Sequence, residues 1–268
     1  MMDELITELV NSVRKNARYA DIDEKLVTRL AQDFQSRGFS PKEIVKRTRA
    51  KLHQIGGAYQ EHAIPYQQLR SETLALPPDL QDPQVLDFCA RAIDYHRSTQ
   101  ERAAQLSVIY ETIFADLPSI HSILDLACGL NPLTLPWIPV ADTIQYQACD
   151  IYGEMVALLN DFFTHFKING QAFLCDLSTA IPSTEVDIVF LLKTLPCLEQ
   201  VDKSISLRLL QLISAEYVLV SFPVRSLSGR AKGMPQHYEQ HFQTLLAQTN
   251  WQNRPYKFND EIFYLLYK

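Results

Sequence analysis

The stretch DLACGLNPLTLPW occupies residues 125–137. It continues an apolar run, SILDLA at 122–127, into a turn that contains one glycine, Gly129. A first strand that runs into such a turn is typical of sheets that bind nucleotide-like ligands. The dinucleotide form of the turn needs three glycines, because its backbone must approach a pyrophosphate closely. Three alternatives remain open at this point: a dinucleotide turn that has lost glycines, the turn of a different cofactor, and an ordinary turn.

The segments after residue 121 alternate between strand-like and helix-like patterns. Helical patterns at 154–166 and 203–213 separate short apolar runs. This alternation predicts a parallel, doubly wound α/β sheet, and the last two runs, at 254–258 and 262–267, resemble a closing hairpin. The predicted strands are 122–127, 144–150, 171–176, 186–192, 217–222 and 261–267.

The first hundred residues predict helices. Apolar residues at helical spacing occur in 3–13 and 23–34, and a third helix over 40–55 has Ser40 as its cap and Pro41 at its first position. A further helix over 96–114 is predicted to begin with a capping box formed by Ser98 and Glu101. We therefore expect two domains, a helical one over 1–95 and an α/β one over 96–268.

The composition is that of an ordinary globular protein, with 47% hydrophobic and 21% charged residues among 268. The acidic stretch MMDELITELV at 1–10 predicts no secretory signal, and the apolar runs are too short to span a bilayer. Its five cysteines form no CxxC pair, which argues against a zinc site and fits reduced thiols. We expect a cytoplasmic monomer that binds neither metal nor membrane.

The charge is distributed unevenly. The chain carries −6 overall, yet residues 1–60 contain 11 Lys and Arg against 8 Asp and Glu. Six of those basic residues lie within 37–53, beside a single acid. Such a run is often a solvated helix face, but in an acidic protein it also suggests a surface that contacts phosphate.

Three aspartates lie at or just after three successive predicted strands: Asp125, Asp150 and Asp176. Asp150, 25 residues after Asp125, is placed to accept from both ribose hydroxyls of a nucleoside. Asp176 is placed to accept from an adenine amine. Asp125 can orient the turn and reach a ligand's ammonium group through a water. S-adenosylmethionine has a ribose, an adenine and no phosphate, so the acids and the one-glycine turn together favour this cofactor over NAD.

Five stretches resemble the 16S rRNA methyltransferases of the Arm/Rmt type, which confer aminoglycoside resistance. The similarity is collinear from about residue 40 to residue 242 and includes the one-glycine turn. It implies a class I S-adenosylmethionine-dependent methyltransferase fold and methyl transfer to guanine N7 in the decoding site of the 30S subunit. The stretches are RTRAKLHQIGGAY (47–59), HRSTQER (96–102), DLACGLNPL (125–133), LLKTLP (191–196) and SFPVRSLSGRAKGM (221–234).

The resemblance also implies a set of cofactor contacts. Within this set, Arg102 would hold the cofactor's carboxylate. The residues are Tyr59, His96, Ser98, Arg102, Ala127, Gly129, Asp150, Asp176, Leu177 and Leu192.

Guanine N7 has an in-plane lone pair and no proton, so its methylation needs positioning and desolvation rather than a base. We therefore expect no catalytic acid or base. Lys193, just after the fourth strand, is a candidate neighbour of the target base, and a salt bridge at the strand end is the alternative. The candidates for RNA contact are Lys46, Arg47, Arg49 and Lys51 in the basic helix and Arg225, Arg230 and Lys232 in the loop after the fifth strand.

Three other functions stay open. Pro196-Cys197 follows the fourth strand, where RNA cytosine-C5 methyltransferases have their nucleophile, although no acid accompanies it. A ribosome-binding protein that transfers nothing would not need Asp150 and Asp176. A small-molecule methyltransferase would not need the basic helix and the basic loop.

Overall fold

A computed structural model describes residues 2–56, 59–60, 63–141, 143–224 and 234–268. In these residues a seven-stranded sheet has the order β3-β2-β1-β4-β5-β7-β6. The first five strands in this order pair in parallel, and β7 runs antiparallel between β5 and β6. The doubly wound sheet with its closing hairpin is confirmed. The strands are β1 (Ser122–Leu126), β2 (Gln145–Asp150), β3 (Asn169–Leu174), β4 (Val186–Leu192), β5 (Ala215–Pro223), β6 (Gln252–Lys257) and β7 (Glu261–Tyr267).

Eleven α-helices lie in the same residues, seven of them before the sheet begins. Helices α1, α2 and α3 pack on one another, α4 packs on α8, and α5 packs on the helical turn Asn131–Trp137. The helices are α1 (Met2–Arg14), α2 (Glu24–Ser36), α3 (Pro41–Ile55), α4 (Tyr66–Ala75), α5 (Pro83–Ile93), α6 (Arg97–Gln100), α7 (Leu106–Phe114), α8 (Gly153–His165), α9 (Leu195–Leu198), α10 (Ile205–Leu212) and α11 (Met234–Leu246).

Both faces of the sheet are buried, as expected for parallel strands between two helical layers. Along β4, Ile188 and Phe190 join one apolar cluster, whereas Val189 and Leu191 join the other. The first cluster also contains Leu30 of α2, so the N-terminal helices and the sheet share a continuous core on that face.

Helix α3 begins as predicted. Ser40 is its N-cap, Pro41 occupies the first turn, and the Ser40 backbone N–H donates to Glu43 Oε2 at 3.2 Å. The carboxylate at the third position satisfies a backbone donor that the helix itself leaves without a partner. The local sequence is sufficient to fix this end.

The prediction of one helix over 96–114 is wrong. The four-residue helix α6 is separated from α7 by a short 3-10 turn at Ala103–Gln105. The predicted capping box does not form either, because Ser98 Oγ lies 3.1 Å from His96 Nδ1 and Glu101 pairs with Lys193. A tertiary ion pair takes the carboxylate that the local motif would have used.

Within the described part of the chain, no helix has both the length and the apolar character needed to cross a bilayer. Among the same residues, no group of three or more His, Cys, Asp or Glu side chains is arranged to hold a metal ion.

Candidate active site

A cavity lies at the carboxyl ends of β1, β2 and β4, the edge where ligands bind in sheets of this type. It encloses about 710 Å³ of space free of protein atoms, part of which is open solvent. The N-terminal helices contribute to its wall through Ile55 and Gly56 at the end of α3. The predicted site residues that line it are Tyr59, His96, Ser98, Ala127, Asp150, Asp176, Leu177, Leu192 and Lys193.

The one-glycine turn is shaped by the histidine that faces it. Gly129 has a φ of +54°, and a Cβ at this position would lie 2.7 Å from His96 Cε1. Only glycine lets the ring pack against the turn. On its other side the His96 ring stacks on Tyr59, with 5.9 Å between centroids and 13° between planes. Gly129 does not line the cavity itself, but it lets His96 do so.

His96 is held neutral at its place in the wall. Burial lowers its pKa to about 3, and the positive charges of Arg102 and Lys193 act in the same direction. The ring is therefore uncharged at physiological pH. It offers shape and a hydrogen-bonding nitrogen rather than a positive charge.

Asp150, the last residue of β2, faces the cavity with a fixed carboxylate. Its Oδ2 accepts from the Gly129 N–H at 2.9 Å and its Oδ1 from the Ile151 N–H at 2.7 Å. Burial raises its pKa, whereas these backbone donors lower it. Two charge-assisted hydrogen bonds thus fix the carboxylate at the mouth of the one-glycine turn.

Asp176 lies two residues beyond β3 and also lines the cavity. Its Oδ2 accepts from Arg29 Nη2 at 2.7 Å and from Arg29 Nε at 3.1 Å. Arg29 belongs to α2, 147 residues away in the chain, and was not identified from the sequence. No local pattern near either residue indicates this pair.

Asp125 is buried behind the turn and does not line the cavity. Its Oδ2 accepts from Asn131 Nδ2 and from the Tyr146 hydroxyl, each at 2.8 Å. Burial raises its pKa to about 7. Asp125 is therefore bonded to the turn through Asn131, whereas the predicted approach to a ligand's ammonium group stays a prediction.

Arg102 and Lys193 belong to a buried ionic network, which we define as Glu101, Arg102, Lys193 and Glu261. Arg102 Nη2 lies 3.1 Å from Glu261 Oε1, and Lys193 Nζ lies 2.5 Å from Glu101 Oε2 and 3.2 Å from Glu261 Oε2. The side chains of Arg102, Lys193 and Glu261 are only 1–2% exposed. Glu261, the first residue of β7, was missed by sequence reasoning because it starts a strand far from every motif.

The network provides protein partners for two of the predicted site residues, Arg102 and Lys193. Arg102 does not line the cavity, since its guanidinium is engaged by Glu261 and by Asn131 Oδ1 at 2.9 Å. Its contact with a cofactor carboxylate stays a prediction. Lys193 does line the cavity, and the alternative considered for it, a salt bridge at the strand end, is present as well.

Cys197 lies in α9 and lines the same cavity. Its Sγ is 3.3 Å from the Tyr59 hydroxyl, and burial raises its pKa to about 11. A nucleophilic cysteine acts as a thiolate. Because this thiol is protonated at neutral pH, the structure disfavours the cytosine-C5 alternative.

The four basic residues of α3 have different surroundings. Lys46 and Arg47 are exposed, although the Arg47 guanidinium also lies 3.9 Å from the Phe39 ring centroid. Arg49 donates to the backbone oxygens of Ser12 and Val13, so the expectation that it is available to RNA is not supported. The ammonium group of Lys51 donates to the Gln200 carbonyl at 2.7 Å.

The remaining candidates for RNA contact, Arg225, Arg230 and Lys232, lie outside the described residues.

Known proteins resemble this chain over most or all of its length. A Micromonospora rosea protein named 16S rRNA (guanine(1405)-N(7))-methyltransferase is 32% identical over 269 residues, covering 99% of this chain and 98% of that protein. A Serratia marcescens protein of the same name is 31% identical over 239 residues, covering 89% and 88%. The crystal structure of the 16S rRNA methyltransferase RmtF in complex with S-adenosyl-L-homocysteine has a TM-score of 0.84 at 29% identity, over 100% of both chains.

These similarities confirm the predicted class I methyltransferase fold, since the likeness to RmtF includes both the helices and the sheet. The predicted resemblance is confirmed in the same way. Residues 15–265 match the family described as ribosomal RNA methyltransferase (FmrO). Because this match covers nearly the entire chain, the protein belongs to the FmrO family of ribosomal RNA methyltransferases.

Proposed function

We propose that this protein transfers a methyl group from S-adenosylmethionine to N7 of a guanine in the decoding-site helix of 16S rRNA. The observation that carries the proposal is the fixed Asp150 carboxylate beside the one-glycine turn. The full-length relatives are named guanine-N7 methyltransferases of 16S rRNA, and RmtF is complexed with the demethylated form of this cofactor.

The residues of the cavity fit that cofactor. Asp150 presents two acceptor oxygens, as a vicinal diol requires, and Asp176 presents an acceptor for an amine. Leu177 and Leu192 supply apolar surface suited to a flat base. Because Gly129 has no side chain, the His96 ring can pack against the turn and form part of the cavity wall. We propose Tyr59, Ser98 and Ala127 as further contacts because they line the same cavity.

The chemistry asks little of the side chains. S-adenosylmethionine supplies an electrophilic methyl group on a sulfonium. The N7 lone pair can attack it without losing a proton, so the protein has to orient both reactants and exclude water. A neutral His96 and a protonated Cys197 agree with such a role, because neither adds a competing charge or nucleophile.

The target base has to leave its helix. In A-form RNA, N7 faces a deep and narrow groove that side chains do not enter, so the guanine must be extruded. We propose Lys193 as its neighbour, since Lys193 lines the cavity just after β4. Its ammonium group is oriented there by Glu101 and Glu261.

We further propose that residues 1–95 form a domain that docks on rRNA and that residues 96–268 form the methyltransferase domain. Lys46 and Arg47 of α3 are exposed and suited to phosphate. The basic loop at 225–232 would contribute from the second domain. A surface divided in this way favours the assembled 30S subunit, in the cytoplasm, as the substrate of a monomeric enzyme, with aminoglycoside resistance as the outcome.

The experiment is to incubate 30S subunits and protein-free 16S rRNA with the enzyme and labelled S-adenosylmethionine, and then to map the modified base. We expect N7-methylguanine in the decoding-site helix of the 30S subunit and little label in the free RNA. Asp150→Asn serves as a matched variant with reduced transfer. A label on a cytosine, or no label on either substrate, would overturn the proposal.

A further inference from the structure

Asp176 stands between the cavity and helix α2. It lines the cavity together with its neighbours Leu177 and Ser178. Arg29 of α2 reaches the Asp176 carboxylate with two nitrogens, Nη2 at 2.7 Å and Nε at 3.1 Å from Oδ2. Arg29 does not line the cavity. An arginine of the helical N-terminal region therefore supports a residue of the cavity wall from behind.

Both oxygens of this carboxylate are held. Oδ1 accepts from the Ser178 N–H at 3.0 Å and from the Ser178 hydroxyl at 2.6 Å, while Oδ2 accepts from Arg29. Arg29 Nη2 also donates to Ser178 Oγ at 2.7 Å. The planar guanidinium thus fixes the carboxylate and the hydroxyl beside it. Of these donors, the Ser178 hydroxyl is the one that can rotate away when a ligand amine arrives.

The pair is partly shielded from solvent. The Asp176 side chain is 12% exposed and the Arg29 side chain is 36% exposed. A charge-assisted pair in such a place is screened less than a pair on the open surface. The pair with Arg29 therefore restrains Oδ2 of a carboxylate that Ser178 holds through Oδ1.

Arg29 comes from a firmly placed helix. Just before α2, the Asp23 N–H donates to the Ile151 carbonyl, and the Gly153 N–H donates to the Asp21 carbonyl, each at 2.8 Å. Ile22 forms an antiparallel bridge with Tyr152. The start of α2 is in this way joined to the loop that follows Asp150. The position of Arg29 is thus tied to the cavity that it supports.

We propose that Arg29 is a positioning residue for the adenine end of the cofactor, which holds the Asp176 carboxylate in the orientation that accepts the adenine amine. Removal of Arg29 leaves the carboxylate held through Oδ1 by Ser178 alone and so loosens its orientation. This inference rests on the proposed function, because it assumes that an adenine occupies the cavity beside Asp176.

The test compares two ligands that differ at the 6-position of the purine, where a carbonyl replaces the amine and the neighbouring N1 gains a hydrogen. S-adenosyl-L-homocysteine has the amine donor, whereas S-inosyl-L-homocysteine has an oxygen there. Calorimetry on the full-length protein should show that the wild type prefers the adenosyl compound. Arg29→Ala should lower the affinity for the adenosyl compound by about fivefold to tenfold and leave the affinity for the inosyl compound nearly unchanged, so that the preference shrinks. Arg29→Lys keeps the positive charge but not the two-nitrogen geometry of the guanidinium, so its preference should lie between those of the wild type and Arg29→Ala.

Arg208→Ala is the matched control. Arg208 Nη2 donates to the Ser178 carbonyl at 3.0 Å, so it holds the same loop without touching the Asp176 carboxylate. Its loss should leave the preference between the two ligands unchanged. A general loosening of the loop would instead weaken both ligands equally in both alanine variants.

The outcomes are distinguishable. If the wild type binds neither compound, the proposed function fails. The role of Arg29 is overturned, while the cofactor site stands, if the wild type binds both compounds without preference. The same holds if Arg29→Ala keeps the full preference or binds the adenosyl compound more tightly. If Arg29→Ala does not fold, the ratio of the affinities of Arg29→Lys for the two compounds provides the test.

Discussion

The buried ionic network and the basic helix α3 use the same types of charged side chain under opposite conditions. In the network, Arg102, Lys193 and Glu261 are almost fully removed from water and are paired with one another. In α3, Lys46 and Arg47 are exposed to solvent. A charge in the first group depends on its partner for stability, whereas a charge in the second group is solvated and free to meet an external phosphate.

A mutation should therefore act differently in these two regions. Loss of one partner in the network leaves a buried charge without compensation, so stability should fall. Loss of an exposed charge should leave stability unchanged and alter only binding. Asp150 lies between these cases, since it is buried but held by backbone donors and faces the cavity.

The largest effect is expected for Glu261→Gln. The amide keeps the shape but leaves Arg102 and Lys193 without their shared counter-charge, which typically costs about 3–5 kcal/mol of the free energy of unfolding. Denaturant unfolding measures this loss. The exposed neighbour Asp260, changed to Asn, should cost less than about 0.5 kcal/mol. Equal stability of the two variants would contradict the prediction that loss of a buried charge costs more stability than loss of an exposed one.

Asp150→Ala should weaken binding of S-adenosylmethionine by roughly ten- to a hundredfold, the equivalent of about 1.5–3 kcal/mol for a charged acceptor. Because backbone donors rather than a counter-charge hold this carboxylate, stability should suffer less than in Glu261→Gln. Calorimetry and unfolding on the same variant separate the two effects. Unchanged affinity would exclude Asp150 from the site.

Asp125 should make stability depend on pH. Its pKa is raised by burial to about 7, from an ordinary value of 3.8. The folded protein therefore binds a proton that the unfolded chain has lost, so this contribution is full below pH 4 and disappears as the pH rises towards 7.

Asp125→Asn cannot titrate, so the wild type should lose stability relative to it by up to about 1.4 kcal/mol per pH unit within that window. Unfolding measured from pH 4 to pH 8 gives the difference. A constant difference between the two proteins would show that Asp125 is ionised throughout.

The smallest effects on stability are expected within α3 itself. Arg49→Ala should cost about 1–2 kcal/mol, since it removes donors to two carbonyls of α1. Lys46→Ala and Arg47→Ala should each cost less than about 0.5 kcal/mol, yet each should lower the salt slope of 30S binding by about 0.7–0.9. Binding at several salt concentrations tests this. An unaltered slope would make α3 a solvated face only.

The sequence was sufficient wherever the signal is local. The alternation of apolar runs and helical patterns predicted the strands and the helices α8 and α10 between them, because periodicity reports which face of an element is buried. Ser40 with Pro41 predicted the start of α3, because hydrogen bonds within a few residues decide where a helix begins. The single glycine of the turn and Asp150 at the end of β2 predicted a cofactor site where the cavity lies. Parallel strands bring their carboxyl ends to one edge, so residues at these ends meet without further information.

Only the tertiary structure decided which charges meet. Arg29 and Asp176 are 147 residues apart, and Arg102 and Glu261 are 159 apart, so no spacing in the sequence indicates either pair. The same long-range pairing took Glu101 from its predicted capping box, and contacts with α1 turned Arg49 away from the solvent. Periodicity reports which face of an element is buried, but the partner of a buried charge depends on how distant elements pack, since desolvation forces each charge to find a counter-charge wherever the fold provides one.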